Sequence, residues 1–154
     1  MSIIVTTRSE ITVRETIALG PGASDSTNDT GINTTQLKLG ATSTPPVSLK
    51  SHFAQALVSG AATIDLLALI GSQGQTLAST GLRVQAIKVQ NPNANALVVT
   101  PAGSNGYGLT FTVPPQGEVL ITSTNLLAAI GSSAHLLTLA GTAAQTSNWM
   151  IILG

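Results

Sequence analysis

Two runs of alternating residues around an Asn-Pro turn constrain the fold of this chain more than any other feature. Residues 80–101 read TGLRVQAIKVQNPNANALVVTP. In the first run Leu82, Val84 and Ala86 alternate with polar residues, which is typical of a half-buried strand. The apolar register then shifts by one residue at Ile87, which predicts a β-bulge near Ala86. The NPNAN segment supplies turn residues, so we expect two strands joined there.

Similar short runs recur along the chain, separated by breaks rich in Gly, Pro and Asn. Their spacing of about 8–12 residues is that of sandwiches and barrels, and it predicts an all-β fold: a β-sandwich, jelly-roll-like, with an extended N-terminal arm. A helix over 53–58 or 65–70 is the alternative for two of the runs, and residues 125–133 read as a short helix capped by Thr124 or as an irregular connection. The predicted strands are 2–7, 11–19, 36–41, 47–58, 62–69, 82–89, 96–100, 109–113, 118–122, 135–141 and 148–153.

The distribution of charge divides the chain. Most of the charged residues lie within residues 1–50, and none follows Glu118 apart from the titratable His135. Residues 20–35 are rich in Gly, Ser, Asn and Asp and predict a loop. We therefore expect an N-terminal arm and loop at 1–45 and a sandwich domain at 46–154, with the charge-free C-terminal segment buried in a core or an interface.

Low charge also bears on assembly. Only 8% of the residues are charged and the net charge is zero, against about 25% charged residues in typical soluble domains. Such a surface has little protection against association, and stable interfaces are poor in charge. The composition predicts a homo-oligomer; a monomer with a Ser-, Thr- and Asn-rich surface is the alternative. With no basic patch and no apolar run of about 18 residues, we expect neither nucleic acid nor membrane as a partner.

The stretch PAGSNGYG at residues 101–108 has the glycine content of a phosphate-binding loop. A strand follows it, however, and no helix N-terminus is available to hold an anion. It predicts a hairpin connection in which Gly103, Asn105 and Gly106 supply positive-φ positions and Leu109 begins the next strand. Tyr107 is expected to pack under this loop rather than to contact a neighbour.

No residue set points to catalysis, and we expect no enzyme, no catalytic or cofactor-binding residues, no metal site and no cofactor. The two histidines, His52 and His135, are interpreted as structural or interfacial residues, because no motif brings a nucleophile to either. A glycosidase carboxylate pair is disfavoured because aromatic residues are scarce. The candidate carboxylates are Glu10, Glu15, Asp25, Asp29, Asp65 and Glu118.

A calcium loop is the remaining alternative in the N-terminal third. Asp25, Thr27 and Asp29 place oxygens at alternate positions. The glycine, Gly31, falls one place late, and Gln36 stands where a bidentate Glu is needed. Asx-turn chemistry explains the same residues without an ion.

From Ala62 to Gly117 the chain resembles small virion proteins of tailed bacteriophages. The resemblance rests on the order TGLRVQ, strand, Asn-Pro turn, strand, GSNGY, strand and a turn with Pro and Gly; the first 45 residues do not share it. It implies a capsid decoration or cement protein, a trimer that binds the major capsid protein on the outside of the head, located in the virion after assembly in the host cytoplasm. The alternative is a tail, baseplate or head-fibre module that binds a host glycan, with Tyr107 and Asn105 as candidate contacts.

Overall fold

Strands dominate the structure, a computed structural model that describes residues 5–17, 26–39, 46–71, 74–122 and 127–154, the first two ranges by their backbone alone. Short 3₁₀ turns occur at Leu66–Ala68 and Gly103–Asn105. The strands are β1 (Val5–Ile17), β2 (Ser26–Leu39), β3 (Leu49–Ala56), β4 (Ala61–Asp65), β5 (Val84–Asn91), β6 (Leu97–Pro101), β7 (Phe111–Val113), β8 (Gly117–Thr122), β9 (Leu136–Ala140) and β10 (Thr146–Leu153).

Eight of these strands form two antiparallel sheets of four. One sheet has the order β3-β10-β5-β8 and the other the order β4-β9-β6-β7. Each sheet turns its apolar side chains toward a shared core. The all-β sandwich expected from the sequence is confirmed.

The pairing of the eight sandwich strands is nested. The first pairs with the last (β3 with β10), then β4 with β9, β5 with β8, and β6 with β7. The chain changes sheet at every connection except the one between β6 and β7. The nested pairing therefore alternates the chain between the two layers of the sandwich.

The core is built on the central strands of both sheets. β10 and β9, the central strands that come from the charge-free C-terminal segment, bury Trp149, Ile151, Leu137 and Leu139 completely. Burying each such aliphatic side chain contributes about 1.5–3 kcal/mol. A charged residue at these positions would have to give up its hydration, which disfavours charge there.

The predicted β-bulge lies at Gln85. Ala86 is opposite Ile152 and Val84 is opposite Leu153, so that Gln85 is the extra residue of β5. Its side chain is buried, and its Nε2 donates a hydrogen bond to the carbonyl oxygen of Pro46 at 2.9 Å. The bulge thus explains the shift in the apolar register and links β5 to the start of the sandwich.

The connections at one end of the sandwich agree with their sequences. Ser59 and Gly60 both have positive φ, 52° and 82°, and form a two-residue turn between β3 and β4, as two-residue hairpin loops of type I′ require. The NPNAN and PPQG segments are turns between sheets. Breaks predicted at these three places are confirmed.

Two sequence-based expectations are wrong. Residues 26–35, predicted as part of a loop, belong to β2, because pairing with β1 outweighs their turn-forming composition. The strand predicted at 62–69 ends at Asp65, whose carboxylate accepts a hydrogen bond from the Leu67 N–H and starts a 3₁₀ turn. Of the two alternatives for residues 125–133, the described residues 127–133 have the irregular connection and no helix, while Thr124 lies outside the described residues.

The hairpin connection predicted at PAGSNGYG is confirmed, since β6 and β7 pair antiparallel on either side of it, but its details are wrong. Only Gly103 adopts positive φ there (56°), whereas Gly106 has φ −65°. The stretch contains a 3₁₀ turn, and β7 begins at Phe111 instead of Leu109. A hydrogen bond from the Tyr107 N–H to the Leu136 carbonyl, on β9, holds this segment away from a tight hairpin.

Candidate interaction surfaces

The titratable residues of the sandwich are scattered. His52 is exposed on β3, and His135 precedes β9 with its Nδ1 2.9 Å from the Gly131 carbonyl oxygen. Asp65 and Glu118 lie on edge strands at opposite sides, β4 in one sheet and β8 in the other. Within the part of the chain that the structure describes, no three His, Asp or Glu side chains gather where they could hold a metal ion.

The alternative calcium loop is not a loop where it is described. Thr27, Asp29 and Gly31 lie in β2, opposite Thr16, Arg14 and Thr12 of β1. Asp25, the first residue of that pattern, lies outside the described residues. An extended strand does not wrap its oxygens around one ion, so this part of the pattern lacks the geometry of a calcium site.

Four connections meet at one end of the sandwich, which we call the loop end: residues 57–60, 92–96, 114–116 and 141–145. Backbone hydrogen bonds join them in pairs. Leu57 N donates to Gln145 O at 2.8 Å, Gly141 N to Gly60 O at 2.9 Å, and Gln116 N to Asn93 O at 2.8 Å. The four connections therefore form one continuous surface.

A network of buried carboxamides fixes the loop end from within. Asn91 Nδ2 donates to the carbonyl oxygens of Asn95, Val113 and Pro114 at 2.8, 3.4 and 3.1 Å. Its Oδ1 accepts from Asn93 N and from Gln145 Nε2, at 3.2 and 3.0 Å. Every connection of the loop end except 57–60 is thus tied to Asn91 directly.

Gln145 extends the network to the remaining connections. Its Oε1 accepts a hydrogen bond from Thr142 N at 2.9 Å, and its backbone carbonyl accepts the bond from Leu57 N. The sequence identified NPNAN as a turn, but no sequence signal connects Asn91 with a glutamine 54 residues later. Satisfied buried polar networks of this kind rigidify the segments that they join.

The loop end carries no charged residue. Most of its exposed residues are small or apolar, Asn95 and Gln116 being polar exceptions, and Val58 at its tip is 78% exposed. Around it lie the exposed residues Pro92, Ala94, Ala96, Pro114, Pro115, Ala143 and Ala144. A rigid, uncharged surface costs little desolvation and little conformational entropy to cover.

An open groove of about 280 Å³ runs along one side of the sandwich, between the edge strands β3 and β4. We call it the side groove. Its apolar lining consists of Phe53, Ile64, Leu69 and Ile70 together with Ala68, and its polar lining of Gln55, Thr63 and Asp65. The groove therefore lies where two unpaired strand edges border the core.

Phe53 connects the side groove to the core. Its ring stacks on Trp149 with centroids 6.2 Å apart and planes inclined by 8°. Ile70, on the far wall, has a 47% exposed side chain, and its carbonyl oxygen accepts a hydrogen bond from Ser51 Oγ at 2.7 Å. Large apolar side chains at an open strand edge are a feature that proteins usually cover.

A second open pocket, of about 290 Å³, lies beside the loop end and is lined by polar residues, among them Gln90, Gln116, Asn148 and Glu118. Glu118 accepts hydrogen bonds from Lys88 at 2.9 Å and from Gln90 at 3.1 Å. The bond from Lys88, and to a lesser extent the bond from Gln90, lowers the pKa of the Glu118 carboxyl. The carboxylate is thus held charged, at an exposed ion pair that contributes little to stability.

Tyr107 is fully buried, which confirms that its ring packs beneath its own segment. Its hydroxyl donates to Ala128 O at 2.9 Å and accepts from Val84 N at 3.2 Å, beside the Gln85 bulge. Burial raises the pKa of this phenol, and the Val84 N–H partly opposes the effect. Of the two candidate glycan contacts, only Asn105 is exposed.

The N-terminal strands form a separate sheet. β1 pairs with β2 in antiparallel register, with an irregularity between Ser9 and Ile11, and within the described residues neither strand pairs with a strand of the sandwich. The chain enters the sandwich beside Gly154, since Ser48 N donates to Leu153 O. The N-terminal segment therefore joins at the end of the sandwich opposite the loop end, about 26 Å away along the eight residues of β3.

Comparison with known proteins does not assign the chain to a group: no protein-family model matches it, and neither does any curated protein. Among the residues that the structure describes, no helix has the length and hydropathy needed to cross a membrane.

Proposed function

We propose that this chain is a structural virion protein that decorates the outside of a tailed-phage head and stabilises the shell, without catalysing a reaction. The observation that carries the proposal is the separate β1–β2 sheet at residues 5–17 and 26–39. Two long strands that pair only with each other leave two unpaired edges, and such edges bind other strands by β-augmentation.

The sandwich supports the same role. Its nested strand pairing is that of jelly rolls, which recur in viral capsid proteins. Its uncharged loop end is pre-organised by the Asn91 network, as suits a surface that is covered in an assembly. Fold alone does not establish a function, so the proposal depends on the edges and surfaces that the fold presents.

In the proposed mechanism the arm, residues 1–45, contributes a strand to a neighbouring copy and to the major capsid protein. Several copies joined as a trimer bind the shell together, so that weak single contacts add up through a high effective concentration. Binding to the assembled shell alone then stabilises it by mass action.

The glycan-binding alternative is weaker, because a sugar site generally needs an exposed aromatic ring or a comparable apolar platform. The Tyr107 and Trp149 rings are buried, and Phe53 and Phe111 pack against the core.

The test measures retention on purified heads that lack the protein. We expect the full chain to sediment with the heads and the variant lacking residues 1–45 to stay in the supernatant. A full-length variant carrying Ala94→Glu and Ala143→Glu reports on the loop end separately. Retention of the truncated variant at the level of the full chain would overturn the role of the arm, and failure of the full chain to bind heads would overturn the decoration function.

A further inference from the structure

We infer that the side groove is the acceptor site for β1 of a second copy of this chain, so that the copies are joined by exchange of their N-terminal arms. The inference deepens the proposed function by naming the site and the partner of the arm, but it concerns self-assembly in solution and needs no phage head.

The edge of β3 has hydrogen-bonding groups to offer. Leu57 N donates to Gln145 O, so the backbone N–H of Leu57 points toward the segment that leads into β10. Because the bonding direction alternates along an antiparallel strand, the N–H and C=O groups of His52, Ala54 and Ala56 point away from β10. β3 is an edge strand, so an added strand can bond to all three residues.

The groove beside this edge suits apolar side chains at alternate positions. Phe53 and Ile64 provide its floor and Ile70 its outer wall. In β1, Ile11, Val13 and Ile17 lie on one face, which also carries Glu15, whereas β2 is rich in Thr, Asn and Asp. The sequence pattern therefore selects β1 as the strand for this groove.

Length agrees with this choice. β1 has 13 residues and spans about 43 Å, longer than the eight-residue β3. In the single chain the β1–β2 sheet pairs with neither sandwich sheet. In a second copy, the free edge of β1 finds the β3 edge of the first copy as its partner.

The opposite side of the sandwich is less suited to accept a strand. There β7 is only three residues long, and β8 carries the Lys88–Glu118 ion pair at its loop-end half. Short strands and charges are devices that discourage edge pairing. One acceptor edge and one donor arm on each copy make a head-to-tail contact, which closes into a ring if the rotation permits.

The main experiment compares Ala54→Pro with Ala54→Thr by native mass in solution. Proline removes the outward N–H of residue 54, whereas threonine keeps it. We expect the wild type and Ala54→Thr to have about three times the 15.5 kDa mass of the chain, and Ala54→Pro to be monomeric at the same concentration. Fluorescence of the buried Trp149 shows whether each variant is folded.

A second pair of variants covers the case in which Ala54→Pro does not fold. Thr63 and Thr112 are both exposed on edge strands of the same sheet, but only Thr63 lines the groove. We expect Thr63→Arg to weaken association at least ~10-fold, which corresponds to about 1.4 kcal/mol, and Thr112→Arg to leave it unchanged. A folded Thr63→Arg variant with the wild-type mass, or a monomeric wild type, would overturn the inference.

Cross-linking distinguishes exchange between copies from pairing within one copy. The chain has no cysteine, so an Ala54→Cys variant can be mixed with a Thr12→Cys or a Val13→Cys variant and oxidised. We expect a covalent dimer in the mixture and none with Ala54→Cys alone. A disulfide that forms only within a double variant, on a monomer, would show that the arm folds back on its own groove and would contradict the exchange.

Discussion

At the scale of single residues, carboxamides rather than charges hold the exposed end of this protein together. Asn91 uses both polar atoms of its side chain, donating to three carbonyl groups and accepting from Asn93 and Gln145. Asn95, four residues later, takes part through its backbone carbonyl alone, and the rest of the residue is exposed. Two asparagines of one turn thus have different structural roles.

Replacing Asn91 by alanine should destabilise the sandwich by about 2–3 kcal/mol, because buried carbonyl and N–H groups would lose their partner. The free energy of unfolding from urea titration measures this loss. Asn95→Ala is the matched control and should change stability by less than about 0.5 kcal/mol. Equal effects of the two substitutions would show that the network does not carry the stability assigned to it.

Tyr107 permits a test at high pH. Burial raises its pKa above the ordinary value of 10.0, so the folded protein holds the phenolic proton more tightly than the unfolded chain does. The contribution of Tyr107 to the free energy of unfolding should therefore be fully present below pH 10. It should be lost as the pH rises through the folded-state pKa. Since this is the only tyrosine, ultraviolet absorbance of phenolate reports its ionisation directly.

The corresponding variant is Tyr107→Phe. It leaves the Val84 N–H and the Ala128 carbonyl without their hydroxyl partner and should cost about 1–2 kcal/mol at neutral pH. Its stability should decline less steeply than that of the wild type above pH 10. Parallel decline in the two proteins would mean that Tyr107 titrates as it does in the unfolded chain.

At the scale of elements, the tight turn between β3 and β4 sets where the chain passes from one sheet to the other. Ser59 and Gly60 have positive φ, and a Cβ atom at Gly60 would lie 2.7 Å from the Gly141 carbonyl oxygen. Close approach to the β9–β10 connection therefore requires glycine in addition to the turn geometry. The sequence indicated the break, whereas the contact with Gly141 depends on the folded sandwich.

Gly60→Ala and Gly81→Ala separate these two requirements. Both glycines have φ near 82°, at 82° and 83°, but a Cβ atom at Gly81 meets nothing within 4 Å. Gly81→Ala should cost only the left-handed strain of about 1–2 kcal/mol. Gly60→Ala should cost at least about 1 kcal/mol more, through its steric clash. Thermal unfolding of both variants checks the difference, which would be absent if the β3–β4 turn moved freely away from Gly141.

At the scale of the whole molecule, the core that the structure describes lies in the sandwich. All the buried residues of the main cluster fall between Leu57 and Leu153. Inside the described residues, the β1–β2 sheet shares no strand pairing with either sandwich sheet. The boundary near residue 45 remains a prediction.

The fragment 46–154 should fold by itself and unfold in one cooperative step. Trp149, the only tryptophan, is fully buried and stacked on Phe53, so its emission should match that of the full chain in the native state. Denaturant titration followed by fluorescence gives the free energy of unfolding, which should agree with that of the full chain at concentrations where both are monomeric. If the fragment is unfolded in buffer, residues 1–45 are required for the sandwich to fold.

The sequence by itself determined the class of fold and the places where the sandwich turns. Alternation in β5 and β10, the shift near Ala86 and the Gly, Pro and Asn breaks are local signals, since side-chain faces and turn dihedrals depend on neighbouring residues. The absence of charge after Glu118 indicated burial only in part, since residues 140–144 are exposed. These signals failed at β2, where Asn, Asp and Thr residues that favour turns are held extended by their pairing with β1.

Only the tertiary structure decided which surfaces are candidates for binding. The loop end unites four connections that are far apart in the chain, and the side groove exists because β3 and β4 are edge strands of different sheets on the same side. Strand order is set by packing between sheets and by the nested pairing of distant strands, and no local pattern encodes it. The residues were visible in the sequence, but their proximity, and with it the proposed acceptor of the arm, arises from the fold.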